Sequence, residues 1–144
     1  AKTEIGDSEG ALVDYRAASS IFSRIDKNVA QASFARAGEA VTLYGLGRRD
    51  EATRIAKQVV TRFQGLTDLH VMLAADAWDR GERDEALREW AYACDGISSG
   101  CAKYRDVEEG GWLVEVRRWP AELVRRQRTF LAESKGGVMT GVRR

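Results

Sequence analysis

The sequence Gly-Arg-Arg-Asp-Glu-Ala at Gly47–Ala52 returns almost unchanged as Gly-Glu-Arg-Asp-Glu-Ala at Gly81–Ala86. An internal period of about 34 residues is typical of stacked helix-turn-helix arrays, because no repeat of such an array can bury its apolar face alone. The glycine that opens each copy permits the left-handed backbone that ends one helix before the next begins. The repeat therefore predicts an all-α fold, and it favours protein binding over catalysis.

Small residues extend the same period toward the N-terminus. Three alanines are spaced by this period, and each has an apolar residue four positions later; the pairs are Ala18 and Phe22, Ala52 and Ala56, and Ala86 and Trp90. A small residue lets two helices approach closely, while the residue at i+4 fills the space beside it. We therefore expect two complete repeats, at about residues 33–64 and 67–96. An N-terminal half-repeat helix would precede them, from about Ser8, its expected N-cap, to about Ile25.

The pattern resembles the tetratricopeptide repeat (TPR), an antiparallel helix pair of about 34 residues. The matching packing positions are Ala40 and Leu43 in the first repeat and Leu73, Ala74 and Ala77 in the second. The chain departs from the family's pattern at its early Trp, where Arg36 and His70 stand, and at its repeat-ending Pro, since Pro120 is the single proline. The resemblance implies a solenoid of helical hairpins, in which the first helix of each hairpin lines a concave groove.

The period fails after the second repeat. The expected helices up to that point are about Ala32–Leu46, Asp50–Phe63, Asp68–Arg80 and Arg83–Asp95. One further period from Ala86 reaches Pro120, which a helix interior would not accept. We expect a capping segment at 101–134 instead, with a short helix at Trp112–Trp119 and an Arg-rich capping helix at about Pro120–Glu133.

The composition indicates one soluble helical domain with a modest core. Hydrophobic residues make up 44% of the chain and charged residues 31%, and the apolar runs are too short to cross a bilayer. The formal net charge of +1 gives no reason to expect nucleic-acid binding. We expect one TPR-like domain at 1–135 and a flexible tail at 136–144, where two adjacent glycines and few apolar residues stand.

The C-terminal stretch carries a sharper resemblance. This stretch contains the strings Tyr104-Arg105-Asp106 and Arg117-Arg118-Trp119-Pro120, with Trp112 between them. Together they resemble the end of a plant and algal family of small TPR proteins of the chloroplast thylakoid lumen. This chain differs by carrying Val107–Gly111 where a shorter link would be expected. The resemblance implies a location in the lumen, peripheral to the thylakoid membrane, and association with photosystem subunits as an assembly factor or accessory subunit. It implies no catalytic residue and no cofactor.

Positive charge is concentrated at the C-terminal end. From Cys101 onward the chain has 10 Lys and Arg residues against 6 Asp and Glu residues. The candidates for partner binding are Arg117, Arg118, Arg125 and Arg126, with Arg128, Arg143 and Arg144 in the same part of the chain. An ordinary solvated helix face is one interpretation of this charge, an acidic protein partner is a second, and RNA or an anionic membrane surface is a third.

Two aromatic residues occupy the same repeat position. Tyr44 and Trp78 stand one period apart on successive first helices, so both could stack on a segment bound in the groove of the array. Partner contact and packing between repeats account for this position equally well. The groove positions that would form a carboxylate clamp for Hsp70 or Hsp90 tails are instead Ala37, Val41, Val71 and Ala75, which argues against a co-chaperone of that class.

The two cysteines, Cys94 and Cys101, flank a short loop rich in glycine and serine. A chain that reverses through this loop could bring their Cα atoms within the roughly 5–6 Å that a disulfide needs. Two separate thiols are the alternative, and an oxidising compartment would favour the bridge. If formed, the bridge would hold Tyr104–Asp106 against the second repeat.

Catalytic and metal sites find little support in the sequence. The single histidine, His70, lies at a packing position, and a structural zinc site needs more Cys and His residues than the chain has. We therefore expect no catalytic, cofactor or metal site, and a non-catalytic adaptor that binds protein rather than nucleic acid. The alternative is a soluble TPR scaffold or self-associating structural protein unrelated to photosynthesis.

Overall fold

The structure, a computed structural model, describes the backbone of residues 5–21 and 29–135 and the side chains of residues 8–21 and 30–135. Two sets of residues named in the predictions therefore lie outside the described residues. They are the tail at 136–144, which includes Arg143 and Arg144, and the packing residues Phe22 and Ile25. Within the described ranges every regular element is helical, so the predicted all-α class is confirmed. The six α-helices there are α1 (Ile5–Ile21), α2 (Val29–Gly45), α3 (Arg49–Arg62), α4 (Thr67–Asp79), α5 (Arg83–Ala91) and α6 (Ala121–Glu133).

Three short elements join α5 to α6. The chain leaves α5 directly into a π-helical turn at Tyr92–Gly96, which is followed by a 3-10 turn at Ala102–Arg105 and a second π-helical turn at Trp112–Val116. The whole chain divides into two compact units, Ala1–Leu69 and His70–Arg144. We call them the N-terminal unit and the C-terminal unit, and their boundary lies inside α4.

The N-terminal unit packs α1 against α2 and α2 against α3. The rings of Phe34, near the start of α2, and Phe63, just after α3, meet edge to face with centroids 5.8 Å apart, so the two helices run antiparallel. Close approach of α1 depends on Gly38, because a Cβ at this position would clash with the ring of Tyr15. Leu43 in α2 is fully buried and forms part of this core.

Residues of the C-terminal unit pack around an aromatic centre. The ring of Phe130 in α6 lies edge-on to Trp78 of α4 at 5.4 Å and to Trp90 of α5 at 5.5 Å, measured between centroids. All three side chains are buried, and Phe130 is completely so. Edge-to-face pairs of this kind add about 0.5–1.5 kcal/mol each to the free energy gained by area burial. The aromatic centre thus holds α4, α5 and α6 together.

The turns that close the two hairpins have equivalent backbones. Gly47 has φ +83° and Gly81 has φ +86°. The N–H of Gly47 donates to the carbonyl of Tyr44 at 3.1 Å, and the N–H of Gly81 donates to that of Trp78 at 3.0 Å. One residue later, the N–H of Arg48 donates to the carbonyl of Leu43 at 3.0 Å, and the N–H of Glu82 donates to that of Ala77 at 2.9 Å. The repeat period is therefore present in the backbone geometry as well as in the sequence.

Burial repeats with the same period. Ala52 and Ala86 are both fully buried, and so are Ala40 and Ala74. Each alanine thus occupies the packed side of its helix, as the repeat pattern requires of small residues at helix crossings.

Two local predictions are wrong in detail. Ser8 is not an N-cap, since α1 begins at Ile5 and Ser8 is buried in its first turn. The short helix expected at Trp112–Trp119 is a π-helical turn that ends at Val116, because Arg118 adopts φ 57°. Trp119 follows in the position before Pro120, where the α conformation is disfavoured. Pro120 itself precedes α6, and its carbonyl accepts the first helical hydrogen bond, from Val124 at 3.0 Å.

Candidate functional site

The predicted aromatic pair consists of buried side chains. Tyr44, in the N-terminal unit, is 1% exposed, and Trp78, in the C-terminal unit, is 7% exposed. Besides its contact with Phe130, Trp78 donates its indole N–H to the Glu133 carboxylate at 2.9 Å and lies 4.2 Å from the guanidinium of Arg83. Burial of this extent favours the packing interpretation over contact with a partner.

The arginines of α6 are engaged within the helix and its neighbours. Arg125 donates to both carboxylate oxygens of Glu122, at 3.3 and 2.5 Å. Arg126 donates to the same carboxylate at 2.7 Å and also approaches Asp79 of α4 at 3.7 Å. The hydrogen bond from Arg125 is the largest of the effects that hold the pKa of Glu122 below its ordinary value of 4.5. The carboxylate of Glu122 thus offsets part of the positive charge of the α6 arginines.

The remaining C-terminal arginines have different surroundings. Arg128 donates to the carbonyl of Val107 at 2.6 Å, so this side chain fastens the 101–111 segment to α6. Arg117 is half-buried and Arg118 is exposed. The structure therefore does not gather the predicted arginines into a single open basic surface within the described residues.

Cys94 and Cys101 are joined by a disulfide, with Cα atoms 4.5 Å apart. The 3-10 turn that follows Cys101 brings Arg105 over the ring of Trp90, with 5.2 Å from the guanidinium carbon to the ring centroid. Gln127, completely buried in α6, donates its amide N–H to the carbonyl of Tyr104 at 2.9 Å. The bridge and these contacts together attach the Tyr104–Asp106 segment to α5 and α6.

Three aromatic residues of the C-terminal segment form one cluster. The ring of Tyr104 meets Trp112 at 5.1 Å and Trp119 at 5.7 Å between centroids, and the ammonium of Lys103 lies 5.5 Å from the Trp112 ring. Burial raises the pKa of the Tyr104 hydroxyl to about 12. We call Tyr104, Trp112 and Trp119 the C-terminal aromatic cluster.

His70 occupies a packed position in the C-terminal unit. Its side chain is 8% exposed, its Nδ1 lies 2.7 Å from the carboxylate of Glu89, and its ring centroid lies 4.6 Å from that of Tyr92. These contacts connect the start of α4 to the end of α5. They are consistent with the packing role expected from the sequence.

A polar cleft that sequence reasoning missed opens in the N-terminal unit. Its volume is about 600 Å³, and we call it the N-terminal cleft. The polar side chains that line it come from three helices: Arg16, Ser19 and Ser20 of α1, Arg36 and Glu39 of α2, and Glu51 and Arg54 of α3.

A buried carboxylate organises the N-terminal cleft. The side chain of Glu39 is only 4% exposed, and it accepts from Arg16 at 2.8 Å and from Arg36 at 3.3 Å. Arg16 continues to Glu51 at 3.2 Å, and Arg36 to the side-chain amide oxygen of Gln58 at 3.0 Å. The sequence signal for this network was an acidic residue, Glu39, directly before the small packing residue Ala40 on an otherwise apolar helix face.

Within the described residues, no group of three or more His, Cys, Asp and Glu side chains could hold a metal ion. In the same residues no helix combines the length and apolar character needed to span a membrane. Comparison of the chain with protein-family models, with curated proteins and with solved structures gives no match.

Proposed function

We propose that this chain is a non-catalytic, protein-binding adaptor of the TPR type. The observation that carries the proposal is the pair of equivalent hairpin turns, at Gly47 and Gly81, with matching left-handed glycines and matching hydrogen bonds one period apart. Repeats of this kind leave an apolar side that only a neighbouring repeat can cover. In the proposed arrangement the hairpins stack in register, and the surface of the array binds another polypeptide.

The proposed location is the chloroplast thylakoid lumen, peripheral to the thylakoid membrane. The support comes from the sequence resemblance around Tyr104–Asp106 and Arg117–Pro120. The Cys94–Cys101 bridge fits an oxidising compartment, where disulfides form and persist. The residues that carry the resemblance include the C-terminal aromatic cluster, in which Tyr104 packs on both tryptophans and accepts a hydrogen bond from Gln127 of α6. That packing gives a structural reason for those residue types.

The proposed partner is a photosystem, which the chain would bind on its lumenal side as an assembly factor or accessory subunit. Affinity purification of the tagged chain from native thylakoid membranes in gentle detergent tests this. We expect photosystem subunits to elute with the chain and not with a tagged, unrelated lumenal protein of similar charge. Recovery of a free monomer or a homo-oligomer would instead support the scaffold or self-associating protein unrelated to photosynthesis.

A further inference from the structure

We propose that the N-terminal cleft binds the carboxylates of an acidic peptide segment of the partner. The inference rests on the proposed function, because it assigns part of the partner contact to one surface of the chain. It concerns α1, α2 and α3, and it involves neither the aromatic pair nor the arginines of α6.

The first argument is the charge around the N-terminal cleft. Three guanidinium groups line the cleft, those of Arg16, Arg36 and Arg54, together with two carboxylates, those of Glu39 and Glu51. The buried carboxylate of Glu39 fixes two of these guanidiniums, and Glu51 accepts from Arg48 at 2.9 Å. Positive charge therefore remains in excess inside a cleft, where focusing of the field raises the local concentration of anions.

The second argument is that the guanidinium of Arg54 has no hydrogen-bond or ion-pair partner among the described residues. Its side chain is exposed on α3 and lines the N-terminal cleft. Among the hydrogen bonds and ion pairs formed within the described ranges, none involves Arg54 or the hydroxyl of Ser19 across the cleft. A guanidinium in this state presents its planar fork of donors, which matches a carboxylate with two parallel hydrogen bonds. A neighbouring hydroxyl can donate a further bond.

The third argument is size. A cleft of about 600 Å³ is far larger than a single oxyanion requires and falls in the range of sites that hold an extended ligand. Ile55 also lines the cleft, although it is largely buried, so the wall includes some aliphatic carbon. A peptide fits this combination because it brings both carboxylates and aliphatic carbon, whereas a free inorganic anion brings only charge.

The ion pairs of the N-terminal cleft also give a pre-organised frame. Arg16 and Arg36 are held by partners on other elements, so the cost of ordering these long side chains is met on folding and not on binding.

The test is a titration of the full chain, labelled with ¹⁵N, with an acetylated and amidated oligoglutamate peptide, followed by NMR. We expect shift changes at Arg16, Arg36 and Arg54, and a Kd that rises about tenfold in Arg54→Gln. Arg62→Gln is the matched control, since Arg62 is exposed on the same helix but does not line the cleft, and it should leave Kd unchanged. An oligolysine peptide should cause no shifts at these residues.

Several outcomes would overturn the inference. Equal weakening by the two substitutions would mean general charge attraction, and shifts confined to α6 would place the anion site elsewhere. Inorganic phosphate that binds at the same residues as tightly as the peptide would mean a site for small anions. Since the described residues contribute no hydrogen bond or ion pair to the Arg54 side chain, thermal unfolding should be the same in Arg54→Gln and the unaltered chain, so a loss of binding would not reflect misfolding.

The two proposals can fail separately. If the unaltered chain purifies with a photosystem and Arg54→Gln does so undiminished, the assignment to the N-terminal cleft fails while the proposed function stands. If the unaltered chain purifies with no partner, the proposed function fails, and the peptide titration still decides whether the cleft binds carboxylates.

Discussion

Tyr104 makes three of the contacts that organise the C-terminal unit. Its carbonyl accepts from Gln127, and its ring packs on Trp112 and Trp119. The same burial that allows these contacts removes water from the phenol oxygen. The charged tyrosinate is therefore disfavoured in the folded chain, which is the cause of the raised pKa.

The first prediction concerns the titration of Tyr104. Its folded pKa of about 12 lies above the ordinary value of 10.0, so the folded state holds this proton more firmly than the unfolded state does. The corresponding stability is fully present below pH 10 and is lost as the pH rises toward 12. The near-ultraviolet absorbance of tyrosinate should show a late-titrating residue, and Tyr104→Phe should remove that step. A Tyr104→Phe variant that keeps the late step would contradict the assignment.

At the scale of elements, the hairpin turn is the unit that repeats. Gly47 and Gly81 have nearly identical left-handed φ values, +83° and +86°, and a Cβ added at either glycine would meet open space. The cost of replacing either one is therefore conformational and not steric. An L-residue in the left-handed region costs about 1–2 kcal/mol.

The second prediction follows from this equivalence. Gly47→Ala and Gly81→Ala should each lower the free energy of unfolding by about 1 kcal/mol, and by the same amount within error. Gly65→Ala is the control, because Gly65 also stands in open space but lacks a left-handed φ, and it should be neutral or slightly stabilising. Urea unfolding measures all three. A large difference between the first two substitutions would show that the turns are not equivalent.

The third prediction concerns the disulfide. The Cys94–Cys101 bridge closes a short loop, so its loss should lower the free energy of unfolding by about 2 kcal/mol, through the greater entropy of the unfolded chain. Urea unfolding with and without a dithiol reductant measures this. The double variant Cys94→Ser, Cys101→Ser should match the reduced chain and should not respond to the reductant. An unfolding curve unchanged by reduction would contradict the prediction.

Helices were the part of the structure that the sequence predicted best. The bounds expected for α2, α3 and α4 agree with the structure to within about three residues. Glycines and a strong apolar period define those ends locally. The turn at Trp112–Val116 was harder to predict, because the left-handed φ of Arg118 has no signature in an arginine.

The side-chain surroundings of the candidate residues were largely beyond sequence reasoning. Trp78 lies in α4, but its burial depends on Phe130 and Glu133, which lie far along the chain in α6. Likewise, the N-terminal cleft depends on Arg16 meeting Glu39 and Glu51, which belong to the next two helices. Only a folded chain brings such groups together.

At the scale of the whole molecule, the proposed function needs the two hairpins to act as consecutive repeats. Each hairpin alone satisfies the pattern, with Ala40 and Ala52 buried in the first and Ala74 and Ala86 in the second. In a TPR array the first helices of adjacent repeats lie side by side. The proposal therefore requires α2 and α4 to be neighbours in solution.

The nuclear Overhauser effects between α2 and α4 in the full chain test this requirement most directly. We expect a continuous series of them along both helices. If α4 shows such effects with α5 and α6 but none with α2, the hairpins do not stack as repeats. The TPR adaptor would then lose its structural basis.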